Sequence, residues 1–204
     1  MKLLKALVIV LVIAAMAISC KPKSAMTVPS SQGKDITRPG IWTDSSQINF
    51  KPIGVVRSSF KDQAGTPIQP VYAQGSKGKV IVFDSYKKAL KDLDGFSRIW
   101  LIYYFDRAKT WSPLTLPYRD DQERGLFATR APARPNAIGI SAVKVISVKG
   151  NEIEVDELDI LDSTPILDIK PYVSGFDSYP DEKGGWLDAK KVDAKSADDR
   201  FNKK

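Results

Sequence analysis

Short runs of β-branched and aromatic residues recur along this chain of 204 residues, and segments rich in proline, glycine or charge separate them. Such runs favour strands, whereas proline cannot donate to a β-ladder and interrupts it. The predicted strands are 53–57, 79–83, 99–105, 138–148, 153–157 and 166–169. Because many short strands leave fewest edges when the sheet closes on itself, the sequence predicts a closed or nearly closed β-barrel.

Three segments give more local predictions. The run 99–105 is continuously apolar, so we expect a strand buried on both faces. Residues 149–152 carry a turn signal between two strand patterns, which predicts a hairpin. The segment 84–93 is predicted to be a short amphipathic helix, because four apolar residues recur at helical spacing: Tyr86, Ala89, Leu90 and Leu93.

The N-terminal part of the chain reads as a leader and a linker. Residues 1–5 are basic, 6–19 are almost wholly apolar, and the only cysteine, Cys20, follows directly. This order predicts a signal peptide over 1–19 and lipidation of Cys20, with an uncleaved anchor or an ordinary cleaved signal as alternatives. Residues 20–47 resemble a flexible linker, 48–187 have the size of one domain, and 188–204 form a charged tail.

Composition excludes several classes of chemistry. The chain has no histidine, which excludes Ser-His-Asp and Cys-His catalysis and removes the commonest transition-metal ligand. A single cysteine excludes an intrachain disulfide and a multi-cysteine metal site. The net charge of +7 favours partners that carry phosphate, such as nucleic acid or anionic lipid.

The loop around Arg130 and Arg134 is a candidate anion-binding segment. Pro132 and Pro135 lie among the two arginines and stiffen the backbone. A guanidinium is a planar, forked donor that suits carboxylate or phosphate. The alternative is that both arginines brace the fold through pairs with carboxylates.

A second dense motif spans residues 162–172. Asp162 could accept hydrogen bonds from sugar hydroxyls, and Ser163 and Thr164 could offer backbone donors in a turn. The alternative is a plain Asx turn that leads into a strand. Asp168 and Lys170 should face the same side of that strand and form an ion pair.

Taken together, these motifs resemble the TsaA-like family, also called TrmO or YaeB. The resemblance covers nearly the whole predicted domain, with the motifs in the family's order. The matching segments are Ile53-Gly-Val-Val-Arg-Ser58, Gln69-Pro70, Gly95-Phe-Ser-Arg-Ile-Trp-Leu101, Phe127-Ala-Thr-Arg130, Arg134-Pro-Asn136 and Leu161-Asp-Ser-Thr-Pro-Ile-Leu-Asp-Ile-Lys-Pro-Tyr172.

The resemblance implies a mainly β fold, a single-sheeted TsaA-like β-barrel with one or two short helices, and usually a homodimer. It implies an S-adenosylmethionine-dependent methyltransferase that acts on N6 of threonylcarbamoyladenosine beside the anticodon of tRNA. Arg134 and Asn136 would support the cofactor-binding loop, and no catalytic residue is identified. Carried over by motif, the cofactor-binding residues are Pro70, Val71, Tyr72, Asp106, Arg107, Arg130, Ile140, Asp162, Ser163, Thr164 and Pro165.

The chain departs from the family pattern around the expected cofactor cleft. Asp106 stands where the family usually has histidine, Ser163 replaces a glycine, and three alanines replace serine, histidine and proline at 131, 133 and 137. These changes and the leader support a second hypothesis, an exported, lipid-anchored barrel that acts as a binding module without methyltransferase activity. A third is that translation begins later, for instance at Met26, which yields a cytoplasmic enzyme.

Overall fold

The structure is a computed structural model that describes Thr43, residues 46–189 and residues 194–201. The predicted signal peptide 1–19, Cys20 and nearly all of the predicted linker 20–47 lie outside the described residues. From Ile48 onwards the chain forms one compact unit. Within the described ranges, no helix has the length and apolar character needed to cross a membrane.

The unit is built on a closed β-barrel in which every pair of neighbouring strands is antiparallel. The strands are β1 Gly54–Arg57, β2 Gly78–Val82, β3 Arg98–Tyr104, β4 Leu114–Thr115, β5 Arg124–Gly125, β6 Ile138–Lys149, β7 Glu152–Asp156 and β8 Pro165–Pro171. Around the barrel they run β1-β2-β7-β6-β3-β8, while β4 and β5 form a separate small sheet. The predicted barrel and its six strands are confirmed, and the β4–β5 pair is an addition.

The barrel interior is filled by branched aliphatic side chains that alternate along each strand with residues on the outer face. Its fully enclosed members include Val56, Val80, Ile99, Val143 and Ile153. Leu158 and Ile160, which follow β7, join the same cluster. These side chains form a packed core, and Tyr103 and Ile160 at its boundary also line a cavity.

The prediction that 99–105 is buried on both faces is wrong. Ile99, Leu101 and Tyr103 point into the core, but Trp100 is only partly buried and Tyr104 is exposed. A barrel strand has only one interior face, so the outward apolar residues depend on local cover. Trp100 obtains it from an edge-to-face contact with Tyr172, whose ring centroid lies 5.3 Å away.

The predicted helix over 84–93 is not an α-helix. The segment forms two 3₁₀ turns, Asp84–Leu90 and Leu93–Gly95, separated by Asp92 in the left-handed region at φ 67°. Of the predicted apolar face only Leu90 is buried, which is too little burial to stabilise an α-helix over 3₁₀ turns. The described residues contain one α-helix, α1 Ser174–Asp177.

The predicted hairpin is confirmed between β6 and β7, where Lys149 pairs with Glu152. Gly150 has φ 66°, a conformation that glycine adopts without steric cost, and it occupies the first position of the two-residue turn. The side chain of Asn151 donates to the carbonyl of Val82 at 2.9 Å. The turn is therefore fixed to β2 as well as to its own strands.

Residues 194–201 belong to the predicted charged tail, yet their backbone pairs with the loop that precedes residue 69. Ala197 N–H donates to the carbonyl of Thr66 at 2.7 Å, and Ile68 N–H donates to that of Lys195 at 3.0 Å. The ring of Phe201 contacts that of Tyr118 at a centroid distance of 5.0 Å. Sequence reasoning missed this pairing because backbone hydrogen bonds carry no residue signature.

We predict that Gly139→Ala destabilises the fold by about 1–3 kcal/mol, the usual cost of overpacking. A Cβ at position 139 would lie 2.3 Å from Cε2 of the Tyr103 ring directly across the β3–β6 ladder, and Tyr103 is buried. Urea denaturation measures the change. Gly95→Ala is the control, because a Cβ there meets no atom within 4 Å. Equal stability of the two variants would contradict the prediction.

Candidate functional site

Two adjoining cavities lie beside the barrel and share one wall. The larger, of about 900 Å³, is lined by Tyr72, Trp100 and Tyr172 among others, and we call it the Tyr72 cleft. The smaller, of about 420 Å³, is lined by Tyr103, Asp159 and Thr164 among others, and we call it the Asp159 cavity. Both have volumes typical of small-molecule sites. Their shared lining residues are Ile68, Gln69, Tyr118, Thr129, Arg130, Ile140 and Phe201.

Arg130 stands on the wall between the two cavities. Its Nη1 donates a hydrogen bond to Oε1 of Gln69, which comes from the loop on the other side of the wall. A neutral amide satisfies one guanidinium donor without neutralising the charge, and Arg130 lines both cavities. Arg130 is therefore positioned to bind an anionic group in either cavity.

Arg134 has a different role from Arg130. Its Nη1 donates to the backbone carbonyls of Thr129 at 2.9 Å and Ala131 at 3.3 Å, and its guanidinium lies over the Phe127 ring at 5.8 Å from the centroid. These contacts fold the loop 126–134 back on itself. Arg134 thus braces the loop as the alternative interpretation proposed, although through backbone carbonyls and an aromatic ring.

The turn at Asp162 is held by contacts within the protein. Its carboxylate accepts hydrogen bonds from Ser58 N–H at 3.0 Å and from the Ser163 hydroxyl at 3.1 Å, and it pairs with Lys61 Nζ at 2.8 Å. The hydrogen bond from Lys61 is the largest of the effects that lower the pKa of Asp162 to about 2. Arg107 Nη2 donates to the Asp162 carbonyl. A sugar hydroxyl at this carboxylate would have to compete with Lys61.

Ser163, which replaces the family's glycine, does have a positive φ of 65°. The left-handed conformation costs a residue with a Cβ roughly 1–2 kcal/mol. The side chain offsets part of this cost, because its hydroxyl accepts from Arg57 Nη1 at 2.9 Å and donates to Asp162. Serine is therefore held in the left-handed conformation by its own side-chain contacts.

The structure brings most of the predicted cofactor-binding residues together around the shared wall. The Tyr72 cleft is lined by Pro70, Val71, Tyr72, Arg130 and Ile140. The Asp159 cavity is lined by Asp106, Arg107, Arg130, Arg134, Ile140 and Thr164. Four predicted residues line neither cavity: Asn136, Asp162, Ser163 and Pro165.

Tyr72 is oriented by a cation from another loop. Arg119 Nη1 donates to the Tyr72 hydroxyl at 2.8 Å, and its guanidinium carbon lies 5.7 Å from the centre of the ring. A phenol ring fixed in this way can pack against a flat ligand in the Tyr72 cleft. Sequence analysis did not predict Arg119 as part of the site.

A buried polar group that sequence analysis missed lies in the Asp159 cavity. Asp159 is partly exposed as a residue, but its Oδ1 is excluded from solvent and has no hydrogen-bond partner among the described residues. Burial raises the pKa of Asp159 to about 7, and the Ser141 hydroxyl and the charge of Arg130 act in the opposite direction. The sequence does contain a signal that could have identified Asp159: it is an acidic residue between two apolar ones, Leu158 and Ile160, which both lie in the core.

Tyr103 and Ser141 complete this group. Their hydroxyls lie 3.2 Å apart, and both side chains are buried. Burial and the nearby charge of Asp159 raise the pKa of Tyr103 well above its usual value, so the phenol keeps its proton. In the part of the chain that the structure describes, no cluster of three or more acidic residues or cysteine could hold a metal ion.

Comparison with known proteins identifies the family. Residues 55–178 match the family model described as the tRNA-methyltransferase O N-terminal domain. The chain belongs to the TrmO family. The resemblance stated from the motifs is therefore confirmed, and the match spans nearly all of the barrel and most of the residues that line the two cavities.

Individual relatives agree with this assignment. A Pyrococcus abyssi protein named as a probable S-adenosyl-L-methionine-binding protein is 46% identical over 156 residues, which are 76% of this chain and 85% of the relative. The tRNA (adenine(37)-N6)-methyltransferase of Escherichia coli is 32% identical over 151 residues, 69% of this chain and 64% of that enzyme.

Solved structures of the TrmO family share the fold. A crystal structure of TrmO from Pseudomonas aeruginosa superposes with a TM-score of 0.59 at 33% identity, covering 69% of this chain and 63% of that one. The chain therefore spans a little under two thirds of the length of this structure and of the Escherichia coli enzyme. The predicted fold class is confirmed.

We predict that Asp159→Asn changes how stability depends on pH. The pKa of Asp159 is raised in the folded protein. Its protonated carboxyl group therefore contributes its full stabilisation below about pH 4, and this contribution is lost as the pH rises through about 7. Asparagine cannot ionise. Between about pH 4 and 8, the free energy of unfolding of the variant should therefore increase relative to that of the wild type, by at most about 4 kcal/mol.

Urea denaturation at several pH values measures this difference. Asp94→Asn is the matched control, because Asp94 is exposed and lines neither cavity. If the free energies of unfolding of both Asp→Asn variants show the same pH dependence as that of the wild type, Asp159 is not held in a desolvated environment.

Proposed function

We propose that this protein binds S-adenosylmethionine and methylates N6 of threonylcarbamoyladenosine next to the anticodon of tRNA. The observation that carries the proposal is the convergence of four sequence-distant segments on the two adjoining cavities. Their lining residues are 69–72, 106–107, 129–134, and 161 with 164. The names of the relatives in Pyrococcus abyssi and Escherichia coli support the same ligand and reaction.

The residues present fit S-adenosylmethionine. Arg130 offers a cation for the ligand's carboxylate, and the carboxylate of Asp106 offers an acceptor for its ammonium or hydroxyl groups. Aromatic side chains in the Tyr72 cleft suit a purine ring. The buried Oδ1 of Asp159, which lacks a partner among the described residues, is consistent with a polar group of the methyl-accepting substrate in this cavity.

When bound, S-adenosylmethionine supplies a methyl group on a positively charged sulfur. The protein's own contribution to such a transfer is alignment and exclusion of water rather than a covalent nucleophile. The loop braced by Arg134 holds Arg130, and the pairing of Arg119 with Tyr72 holds the opposite wall. The absence of histidine from the sequence therefore does not argue against this reaction.

The mouth of the Asp159 cavity is suited to a nucleic-acid substrate. Lys61, Arg107 and Lys109 line it, and the Lys61 side chain is 65% exposed. Clustered cations beside a ligand cavity bind the phosphate backbone and make binding sensitive to salt. The net charge of +7 also attracts the phosphate backbone, and it does so over longer distances.

A homodimer is part of the proposal, as the resemblance implies. The supporting observation is apolar surface at the Tyr72 cleft: Phe127 is 81% exposed, and Val71 and Leu187 are exposed beside the same cleft. Apolar surface of this kind marks interaction sites.

The leader determines where the reaction would take place. As the alternative to this reaction, we propose that residues 1–19 are removed and that Cys20 is lipidated, because the basic start, apolar run and cysteine follow one another directly. Mass spectrometry of the N-terminus from cells decides the point. A lipidated Cys20 would favour the exported binding module, whereas a product that begins at Met26 would favour a cytoplasmic enzyme.

We predict that Arg130→Ala weakens binding of S-adenosylmethionine about tenfold to a hundredfold, because charge-assisted hydrogen bonds contribute about 1.5–3 kcal/mol. Titration calorimetry of the full chain measures the affinity. The control is Lys144→Ala, which also removes one positive charge but lies on an exposed position outside both cavities. Unchanged affinity in Arg130→Ala would contradict the proposed role of Arg130.

The reaction itself is tested with tRNA that carries threonylcarbamoyladenosine. After incubation with the wild-type protein and S-adenosylmethionine, nucleoside mass spectrometry should detect one added methyl group on that nucleoside. If the wild-type protein does not bind S-adenosylmethionine at millimolar concentration, or transfers no methyl group, the proposed function is wrong.

A further inference from the structure

Asp159 lies on a segment whose backbone is fixed at both ends. Leu158 N–H donates to the carbonyl of Ser76 at 3.0 Å, and Asp162 N–H donates to that of Phe60 at 2.7 Å. Leu158 and Ile160 are anchored in the core on either side. The carboxyl group is therefore held at one place on the wall of the Asp159 cavity.

The same segment is bracketed by two residues in an unfavourable conformation. Glu157 has φ 61° and Ser163 has φ 65°, and neither is glycine. Such strain persists where surrounding contacts over-determine the backbone, and it is frequent at functional sites. Here Glu157 is held by an ion pair with Arg98 Nη2 at 2.7 Å. The path of residues 157–163 is thus imposed by the fold.

Several polar and charged groups surround Asp159, but one oxygen of its carboxyl group has no partner among the described residues. Tyr103 and Ser141 face it from β3 and β6, and Arg130 faces it from the loop, but Oδ1 has no partner within the described ranges. The other charged or titratable residues that line the cavity are Lys61, Asp62, Asp106, Arg107, Lys109, Tyr118 and Arg134. Lys61 pairs with Asp162, and Arg134 braces its own loop.

The proposed reaction needs a proton acceptor. The methyl-accepting N6 carries one hydrogen and is conjugated with a carbonyl, so it is a poor nucleophile until that proton leaves. A carboxylate with no partner accepts a proton more readily than one that is paired, and a general base works best when its affinity for protons matches the working pH. Among the carboxylates that line the cavity, Asp159 has the buried oxygen without a partner.

We propose that the Asp159 carboxylate accepts the proton that leaves N6 during methyl transfer, an inference that rests on the proposed function. The N6–H bond breaks and its electron pair forms the new bond from nitrogen to the methyl carbon. The electron pair of the broken carbon–sulfur bond stays on sulfur, and the proton ends on Asp159 as a neutral carboxylic acid. Asp159 is therefore assigned as the catalytic base that the sequence did not identify.

Asp159→Asn in the full chain tests this assignment, because asparagine keeps the shape and cannot accept the proton. We expect the single-turnover rate of methyl transfer to fall about 10²–10⁴-fold, the usual contribution of a general base. Binding of S-adenosylmethionine and of tRNA, measured by calorimetry and filter binding, should change less than about threefold. The wild-type rate should rise with pH and level off near neutral pH, and the variant should lose that rise.

A second readout is independent of activity. In wild-type protein labelled with ¹³C at aspartate carboxyl groups, one resonance should titrate near neutral pH, and it should be missing in Asp159→Asn but present in Asp94→Asn. The absence of such a resonance would overturn the assignment. Wild-type activity in Asp159→Asn would overturn it too, and so would a loss of S-adenosylmethionine affinity as large as the loss of rate.

Failure of the proposed function and failure of the base assignment would give different results. If the wild-type protein methylates no tRNA, the proposed function is wrong and Asp159 has no reaction to serve. If the wild type is active and Asp159→Asn is equally active, only the assignment of the base is wrong. Asp94→Asn is expected to match the wild type in every assay.

Discussion

Closure of the barrel is the constraint on which the rest of the structure depends. The first and last strands meet through only two residue pairs, Gly54 with Ile166 and Val55 with Pro165. This short seam leaves no strand of the main sheet with a free edge, and it turns one face of every strand inward. The inner face is filled mainly with aliphatic side chains, so the two cavities are lined chiefly by loops, together with Tyr103 and Ile160 at the boundary of the core.

The site follows from that constraint, because its components arrive on separate loops and need fixed supports. The loop 126–134 is stabilised by Arg134, the loop 65–72 by pairing with the C-terminal segment, and the segment 157–164 by core residues on both sides of Asp159. Arg130 and Gln69 join the first two loops across the wall between the cavities. The site is therefore held together by contacts between loops as well as by the barrel.

Sequence reasoning predicted the barrel because strand residues and prolines determine local structure directly. It failed where the outcome depends on distant parts of the chain. On the outward face of β3, Trp100 is covered by Tyr172, and in the segment 84–93 only Leu90 and Leu93 reach the core. Motifs located Arg130 and the Asp162 turn, but whether Oδ1 of Asp159 has a partner depends on which side chains surround it in three dimensions.

The pairing of residues 194–201 with the loop at Thr66–Ile68 links the end of the chain to the site. Gln69, which contacts Arg130, is the next residue of that loop. Ala197 and Phe201 themselves line the Asp159 cavity. A ligand that displaces Gln69 would therefore act on a loop that is hydrogen-bonded to the C-terminal segment. We expect a fluorophore on that segment to act as an optical reporter of occupancy, and a fusion partner at the same end to interfere with binding.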